Sequence, residues 1–257
     1  MSFVLTDTHT HFYYERDAGR RAGMMRRCLE NNISRLFLPN VDLESVPMVF
    51  DLVDEYPEYC FPMLGLHPCD VNENWAEELA QIRTFFTHKK IWAIGEIGID
   101  LYWDKTTLAR QQDAFHAQIA WAKEEDLPIV IHCRDAFDEV FEVLEQERDA
   151  RLRGILHCFT GNTLQAEKLI AMNFHLGIGG VVTYKNSGLD HVVAGIDLAH
   201  IVLETDSPYL APVPFRGKRN ESAYLIHIAQ KIADLKGISV EDVADITTKN
   251  AKNVFGT

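Results

Sequence analysis

The sequence has no apolar run near the roughly 18 residues a membrane-spanning helix needs. Its first residues show no basic region followed by an apolar stretch, so no secretory signal is expected. Its five cysteines, Cys28, Cys60, Cys69, Cys133 and Cys158, include no Cys-x-x-Cys pair and cannot all pair with one another. Reduced thiols in a cytoplasmic protein are the expectation. No linker, repeat or low-complexity segment marks off a second domain. Positive charge is scarce, with 25 Lys and Arg against 38 Asp and Glu and a net charge of −13. A protein that coats nucleic acid by electrostatics would be basic. An enzyme that grips a phosphate chain at one local positive site is still allowed, and acidic character also serves solubility.

What is present is a chain of 257 residues, 47% of them hydrophobic, enough for one large α/β domain or two smaller ones. Short apolar runs recur at Val4–Thr8, Arg35–Leu38, Cys60–Leu64, Ile91–Gly95, Pro128–Ile131, Gly154–Leu156, Phe174–Gly177 and Ile201–Glu204. Segments of helical spacing separate them, near 17–31, 44–55, 75–88, 106–125, 135–148, 163–171 and 187–195. A helix near 221–235 follows the last strand, and a helical pair, 239–247 and 248–254, closes the chain. Regular β-α alternation calls for parallel strands, because parallel neighbours need a crossover. Eight units in this length predict a single-domain α/β (β/α)₈ TIM-type barrel over 1–257 with C-terminal helices. An open doubly wound sheet is the alternative.

In such a barrel, the chemistry sits where strands end. Asp7-Thr-His9-Thr-His11 follows the first run, and side chains two apart share a strand face. The third run ends at Gly65-Leu-His67-Pro68, the fourth at Glu96, the fifth at His132, the sixth at His157 and the eighth at Glu204-Thr-Asp206. Period-two alternation sends Cys133 and Cys158 away from the barrel mouth as small buried hydrophobes. It also puts Glu96 on one face with Ile94 and Trp92. Imidazole plus carboxylate without thiolate suits Zn²⁺, Mn²⁺, Fe²⁺ or similar ions. Four histidines and two carboxylates exceed what one tetrahedral ion uses. They suit two ions roughly 3.5–4 Å apart. The ends of the fourth and fifth strands lack the lysine that bridges many two-ion barrels, so Glu96 is assigned as the bridge.

Taken in order, His9-Thr-His11, Gly65-Leu-His67-Pro68, Gly95-Glu96-Ile-Gly98-Ile-Asp100, His132-Cys-Arg134, His157-Cys-Phe-Thr-Gly161, Glu204-Thr-Asp206-Ser-Pro208-Tyr-Leu210 and Arg216-Gly-Lys-Arg-Asn220-Glu221 form a specific set. The set covers nearly the whole chain and resembles the TatD-like metal-dependent deoxyribonucleases of the amidohydrolase superfamily. That resemblance implies a TIM-type barrel with two divalent ions, Mg²⁺, Mn²⁺ or Zn²⁺. It implies that His9, His11 and Asp206 hold one ion, His132 and His157 the other, and Glu96 both. It further implies phosphodiester hydrolysis, with nucleotides removed from DNA 3′ ends. Some relatives are linked to other hydrolyses, including D-aminoacyl-tRNA deacylation. One departure is Ser222, where the family usually has proline after Asn-Glu; serine there is expected to cap or begin the last helices.

Further roles follow from position. Asp206 is the candidate general base as well as a ligand, so Asp206 and Glu96 form the catalytic pair. Glu204 is expected to orient a ligand or a nearby loop, and Asp7 to support the site from outside it. His67 could touch substrate, donate a proton to the leaving group or simply hold its loop. Arg134, two residues beyond His132, is placed as a phosphate clamp. Arg216, Lys218 and Arg219 form a local positive cluster suited to a phosphate track. Phe12, Tyr13 and Tyr14 could stack on a base, though packing is expected for at least two of them. The expected partner is a DNA 3′ end or another phosphate-bearing substrate, with no membrane and no obligate protein partner. Hydrolysis of a lactone, amide or acyl ester on the same scaffold is the rival function, followed by metal binding without turnover.

Overall fold

The β-branched and apolar runs form strands, and the amphipathic segments between them form helices, in the computed structural model, which describes residues 3–257. Of the domain expected over 1–257, residues 1 and 2 lie outside those described. Among the described residues there are eight strands: β1 (Leu5–Asp7), β2 (Ile33–Pro39), β3 (Cys60–Met63), β4 (Ile94–Asp100), β5 (Ile129–Arg134), β6 (Gly154–Leu156), β7 (Phe174–Ile178) and β8 (Ile201–Leu203). The crossovers carry α1 (Ala18–Glu30), α2 (Ser45–Glu55), α3 (Trp75–Thr84), α4 (Leu108–Glu125), α5 (Phe137–Gln146), α6 (Thr163–Ala171) and α7 (Leu189–Gly195). Helices α8 (Leu225–Lys236) and α9 (Val240–Phe255) follow β8. No helix among the described residues is long and apolar enough to cross a membrane.

All paired strands run parallel, β1-β2-β3 in one ladder and β4 through β8 in another. A bridge between Leu64 and Ile94 joins β3 to β4. The second seam closes through a Thr10–Ser207 bridge and through Thr8 N–H and Asp206 N–H, which donate to Leu203 O (2.9 Å) and His9 O (3.0 Å). That seam makes the sheet a closed barrel and rules out the open alternative.

The interior is an apolar layer of Phe37, Met63, Ala93, Val130, Ile155 and Val202, joined by Ala251, Val254 and Phe255 of α9. The Phe37 and Phe255 rings stack with centroids 3.7 Å apart. A larger apolar layer fills the space between barrel and helices, including Ile94, Ile97, Ile99, Ile129 and Ile131. Burying an aromatic or aliphatic side chain of this size stabilises by about 1.5–3 kcal/mol.

Four expectations need correction. The fourth strand does not stop at Gly95 but runs to Asp100, so Glu96 lies within it. Its glycines are close-approach positions rather than terminators: a Cβ on Gly95 would come within 2.7 Å of Val130 Cβ, and Gly98 has φ +138° against the His132 backbone. Ile94 pairs with Ile129 but Ile97 with Ile131, so β4 holds one extra residue there. A bulge of this kind re-aims side chains. It explains why Ile94 faces the helices while Ala93 faces the interior, contrary to a simple count back from Glu96. The expected closing pair of helices is one helix, α9, started by a Ser239–Asp242 capping box and free of Gly or Pro within it. Finally, only Cys133 packs against the outer apolar layer; Cys158 is half-buried and absent from both layers, because its φ of +47° breaks the alternation on which the expectation rested.

Candidate metal centre

The loop after β1 carries His9 and His11 into the barrel mouth, the bulge of β4 carries Glu96, and β5 carries His132. His157 follows β6 and Asp206 follows β8. His9, His11, Glu96 and His157 are buried, and His132 and Asp206 are nearly so. The two oxygens of Glu96 face different partners. Oε2 lies 3.2 Å from His9 Nε2 and 3.6 Å from His11 Nε2. Oε1 lies 2.8 Å from His132 Nδ1 and 2.7 Å from His157 Nε2. Asp206 Oδ1 stands 3.6 Å from His11 Nε2 and 3.9 Å from His9 Nε2. Three groups of donor atoms could hold an ion: His9, His11 and Asp206; His9, Glu96 and His157; and His67, Glu96 and His132.

Backbone conformation sets some of these aims. Asp206 has φ +54°, a left-handed conformation that aspartate tolerates better than most residues. Its N–H is held by His9 O, and its own carbonyl accepts from Tyr209 N–H at 2.8 Å. Burial would raise the Glu96 carboxyl, but His157, His67, His9 and the hydrogen bond with His132 outweigh it and hold Glu96 well below the ordinary carboxylate range. Burial lowers His9, and neighbouring His157 adds to the effect, so its imidazole is neutral and offers a lone pair. Among the described residues neither ring nitrogen of His9 has a hydrogen-bond partner, although the side chain is fully buried. An orphaned imidazole among carboxylates and other imidazoles fits a divalent ion of the Zn²⁺ or Mn²⁺ type.

Behind the donors stands a set of partners. His132 Nε2 donates to Asp100 Oδ2 at 2.8 Å, which leaves Nδ1 facing Glu96. Burial raises Asp100, yet the hydrogen bonds from His132 and the N–H groups of Tyr102 and Trp103 bring it down to about 2. His11 Nδ1 meets the Tyr13 hydroxyl at 2.8 Å, and its ring stacks on Tyr14. Glu204 is fully buried, 3.6 Å from His157 Nδ1, and its Oε1 accepts from Cys158 N–H at 2.5 Å. A Cβ at Gly177 would overlap Glu204 Oε2, so the glycine makes room for that carboxylate. Asp7 lies outside the donor group: it accepts from Thr205 N–H (2.9 Å) and Thr205 Oγ1 (2.6 Å), tying β1 to the chain after β8.

The remaining residues singled out from the sequence divide. His67 joins the cluster, 3.4 Å from Glu96 Oε1 and 3.3 Å from His132 Nδ1. Its Nδ1 accepts from Cys69 N–H at 3.1 Å, so a neutral His67 carries its proton on Nε2, pointing inward. Arg134 is exposed, its guanidinium 3.6 Å from the centre of the Tyr102 ring. Arg216 lies over Tyr184 at 4.3 Å, and Arg219 is 3.8 Å from Glu15. Lys218 is exposed and makes no ion pair among the described residues. Among the described residues these three share no contact partner. Phe12 and Tyr13 are buried packing residues. Ser222 begins a 3₁₀ turn but does not cap it, since Glu221 holds the cap position, and its Oγ lies 2.9 Å from Thr10 Oγ1, between the two histidines in sequence. Asp100 and Tyr13 back two of the donors, a place that sequence reasoning did not assign them. The signal for Asp100 was its period-two register with Glu96, four residues on.

A family model described as TatD related DNase matches residues 6–256. The metal-dependent hydrolase YabD of Bacillus subtilis, described as uncharacterized, is 39% identical over 253 residues, which is 98% of this chain and 99% of that one. The 3′-5′ ssDNA/RNA exonuclease TatD of Yersinia pseudotuberculosis is 33% identical over 239 residues, 90% of this chain and 92% of that one. The crystal structure of YJJV, a TatD homolog from Escherichia coli, superposes with a TM-score of 0.92 at 28% identity and covers 98% of both chains. With this barrel, this donor set and a match along nearly its full length, the chain belongs to the TatD-related DNase family of metal-dependent hydrolases.

Proposed function

We propose that the protein hydrolyses phosphodiester bonds at nucleic-acid ends, as a 3′-5′ exodeoxyribonuclease working with two divalent ions. The observation that carries this reading is the division of Glu96, each oxygen facing its own imidazole pair. His9, His11 and Asp206 with Glu96 Oε2 would hold one ion, and His132 and His157 with Glu96 Oε1 the other. Bound there, Mg²⁺, Mn²⁺ or Zn²⁺ supplies Lewis acidity that eases deprotonation of the attacking water and offsets charge on the phosphoryl oxygens. Asp206, the donor carboxylate on the mouth side at 13% exposure, accepts the proton of that water. His67 Nε2–H is aimed inward and hydrogen-bonds the substrate phosphate or the leaving oxygen. The names of the Yersinia and Erwinia relatives, 3′-5′ ssDNA/RNA exonucleases, support nucleic acid as the substrate.

The test strips the protein of metal and reloads it with Mg²⁺, Mn²⁺ or Zn²⁺. Labelled single-stranded DNA, RNA, D-aminoacyl-tRNA and a simple lactone are then offered. Stepwise shortening of DNA from its 3′ end is the expected result. Turnover of the lactone or the acyl-tRNA with no shortening of DNA under any metal would overturn the reading. His67→Gln separates donor from ligand: kcat is expected to fall by about 10²–10⁴, with two ions still retained by elemental analysis. Loss of one ion would make His67 a ligand instead.

A further inference from the structure

Two large aromatic side chains stand in solvent just beyond β4. Trp103 is 72% exposed and Tyr102 is 52% exposed. Aromatic rings of this size ordinarily bury most of their surface, and an exposed pair marks a binding surface more often than an isolated one does. Their rings meet edge to face at 4.8 Å. The Arg134 guanidinium lies 3.6 Å from the Tyr102 ring centre and 5.6 Å from that of Trp103. Arg20, Arg27 and Arg219 each pair with a carboxylate. Arg134 has no such partner among the described residues, so its charge is not offset locally.

This surface is fastened to the metal centre by one side chain. Asp100 Oδ2 accepts from His132 Nε2 at 2.8 Å, while its Oδ1 accepts from the N–H groups of Tyr102 (2.9 Å) and Trp103 (3.4 Å). Leu101 N–H also donates to Arg134 O at 2.9 Å. The aromatic turn, the arginine and a histidine of the cluster are thus held in one register. Flat π faces beside a free cation match the two recurring parts of a single strand, an unpaired base and its phosphate. A duplex end offers the phosphate but keeps its base faces stacked on neighbouring pairs.

We propose that Tyr102, Trp103 and Arg134 form a stacking platform for an unpaired nucleobase next to the scissile phosphate, which selects single-stranded ends that carry intact bases. The platform rests on the phosphodiesterase reading and narrows its substrate class. Every base has a π face, so the selection is for strandedness and the presence of a base rather than for sequence.

The test measures binding of the metal-loaded enzyme to a fluorescein-labelled oligothymidylate by anisotropy, with phosphorothioate linkages to resist cleavage. A strand of equal length with abasic residues near its 3′ end is the comparison. Wild type is expected to favour the base-bearing strand by about 5- to 100-fold. Trp103→Ala is expected to remove that preference and Trp103→Phe to keep most of it. The exposure of Trp103 makes both variants foldable, and a thermal melt checks this. Equal preference in wild type and Trp103→Ala, or none in wild type, would overturn the platform. Cleavage of the unmodified strand is followed in parallel. Cleavage without base preference sinks the platform alone; a base preference that Trp103→Ala removes, without cleavage, sinks the nuclease reading and keeps only base stacking at Trp103.

Discussion

Three imidazoles of the cluster are backed by different groups, and a fourth by none. His132 has a carboxylate, Asp100; His11 has a phenol, Tyr13; His157 has Glu204 nearby; the His9 ring has no partner at Nδ1. A carboxylate behind a metal-binding histidine fixes its ring and raises its basicity, and removing such a partner typically costs 10- to 100-fold in metal affinity. Asp100→Ala is therefore expected to weaken the second of two Zn²⁺ or Mn²⁺ binding events by about 10- to 100-fold in calorimetric titration. Tyr13→Phe is expected to weaken the other event by less, because a neutral oxygen is lost. An unchanged isotherm for Asp100→Ala would remove Asp100 from the support of the site. The donors themselves were legible because each follows an apolar run at a strand end. Asp100 and Tyr13 were not, since a hydrogen bond from behind depends on ring rotation that spacing cannot express. The spacing of Arg134 from His132 suggests a phosphate clamp but carries no sign that the guanidinium also lies over Tyr102.

Between elements, the telling case is β4. Its apolar run reads as ending at Gly95, whereas Gly95 and Gly98 let β4 lie close against β5 while a bulge turns Glu96 inward. Alternation along one strand was legible from composition, but an extra residue in a ladder becomes visible only once the partner strand is known. The same limit hid the reason for Gly177 in β7, which leaves space for a carboxylate from β8's end. Gly177→Ala is expected to destabilise by about 1–3 kcal/mol through overpacking, read as a lowered denaturation midpoint. A midpoint equal to wild type would mean that Glu204 moves aside freely. A second prediction concerns the joint between α4 and the end of α5. Partial burial raises Glu147, but hydrogen bonds from Lys123 (2.5 Å) and His116 (2.7 Å) outweigh it and hold the carboxyl below its ordinary value of 4.5. A depressed carboxyl contributes stability above its unfolded pKa, and that contribution disappears as pH falls through the folded value. Glu147→Gln should cost about 0.5–1 kcal/mol at pH 7 for so exposed a pair. The gap from wild type should close toward pH 3, and a constant gap across that range would contradict the assignment.

At the scale of the molecule, barrel and C-terminal helices followed from counting β-α units, and the closed seam between β1 and β8 agrees. What the count could not show is that α9 belongs to the barrel interior as much as to its outside. A helix with one apolar stripe reads the same whether it lies on a barrel wall or across its base. Val254 and Phe255 are buried with Phe37, Val130 and Val202 from three strands. Phe255→Ala is expected to cost about 3–5 kcal/mol in urea denaturation, the scale of a core substitution. A loss under 1 kcal/mol would place the Phe37–Phe255 stack outside the cooperative core.

That plug also has a bearing on synthesis. The chain leaves the ribosome from its N-terminus, so β1 through β8 emerge before the side chains that seal their interior from below. Without α9, Phe37, Val130 and Val202 would face a hollow that Val254 and Phe255 otherwise fill. A chain lacking the last turn of α9 would therefore keep each imidazole and carboxylate of the cluster and lose the apolar floor beneath them.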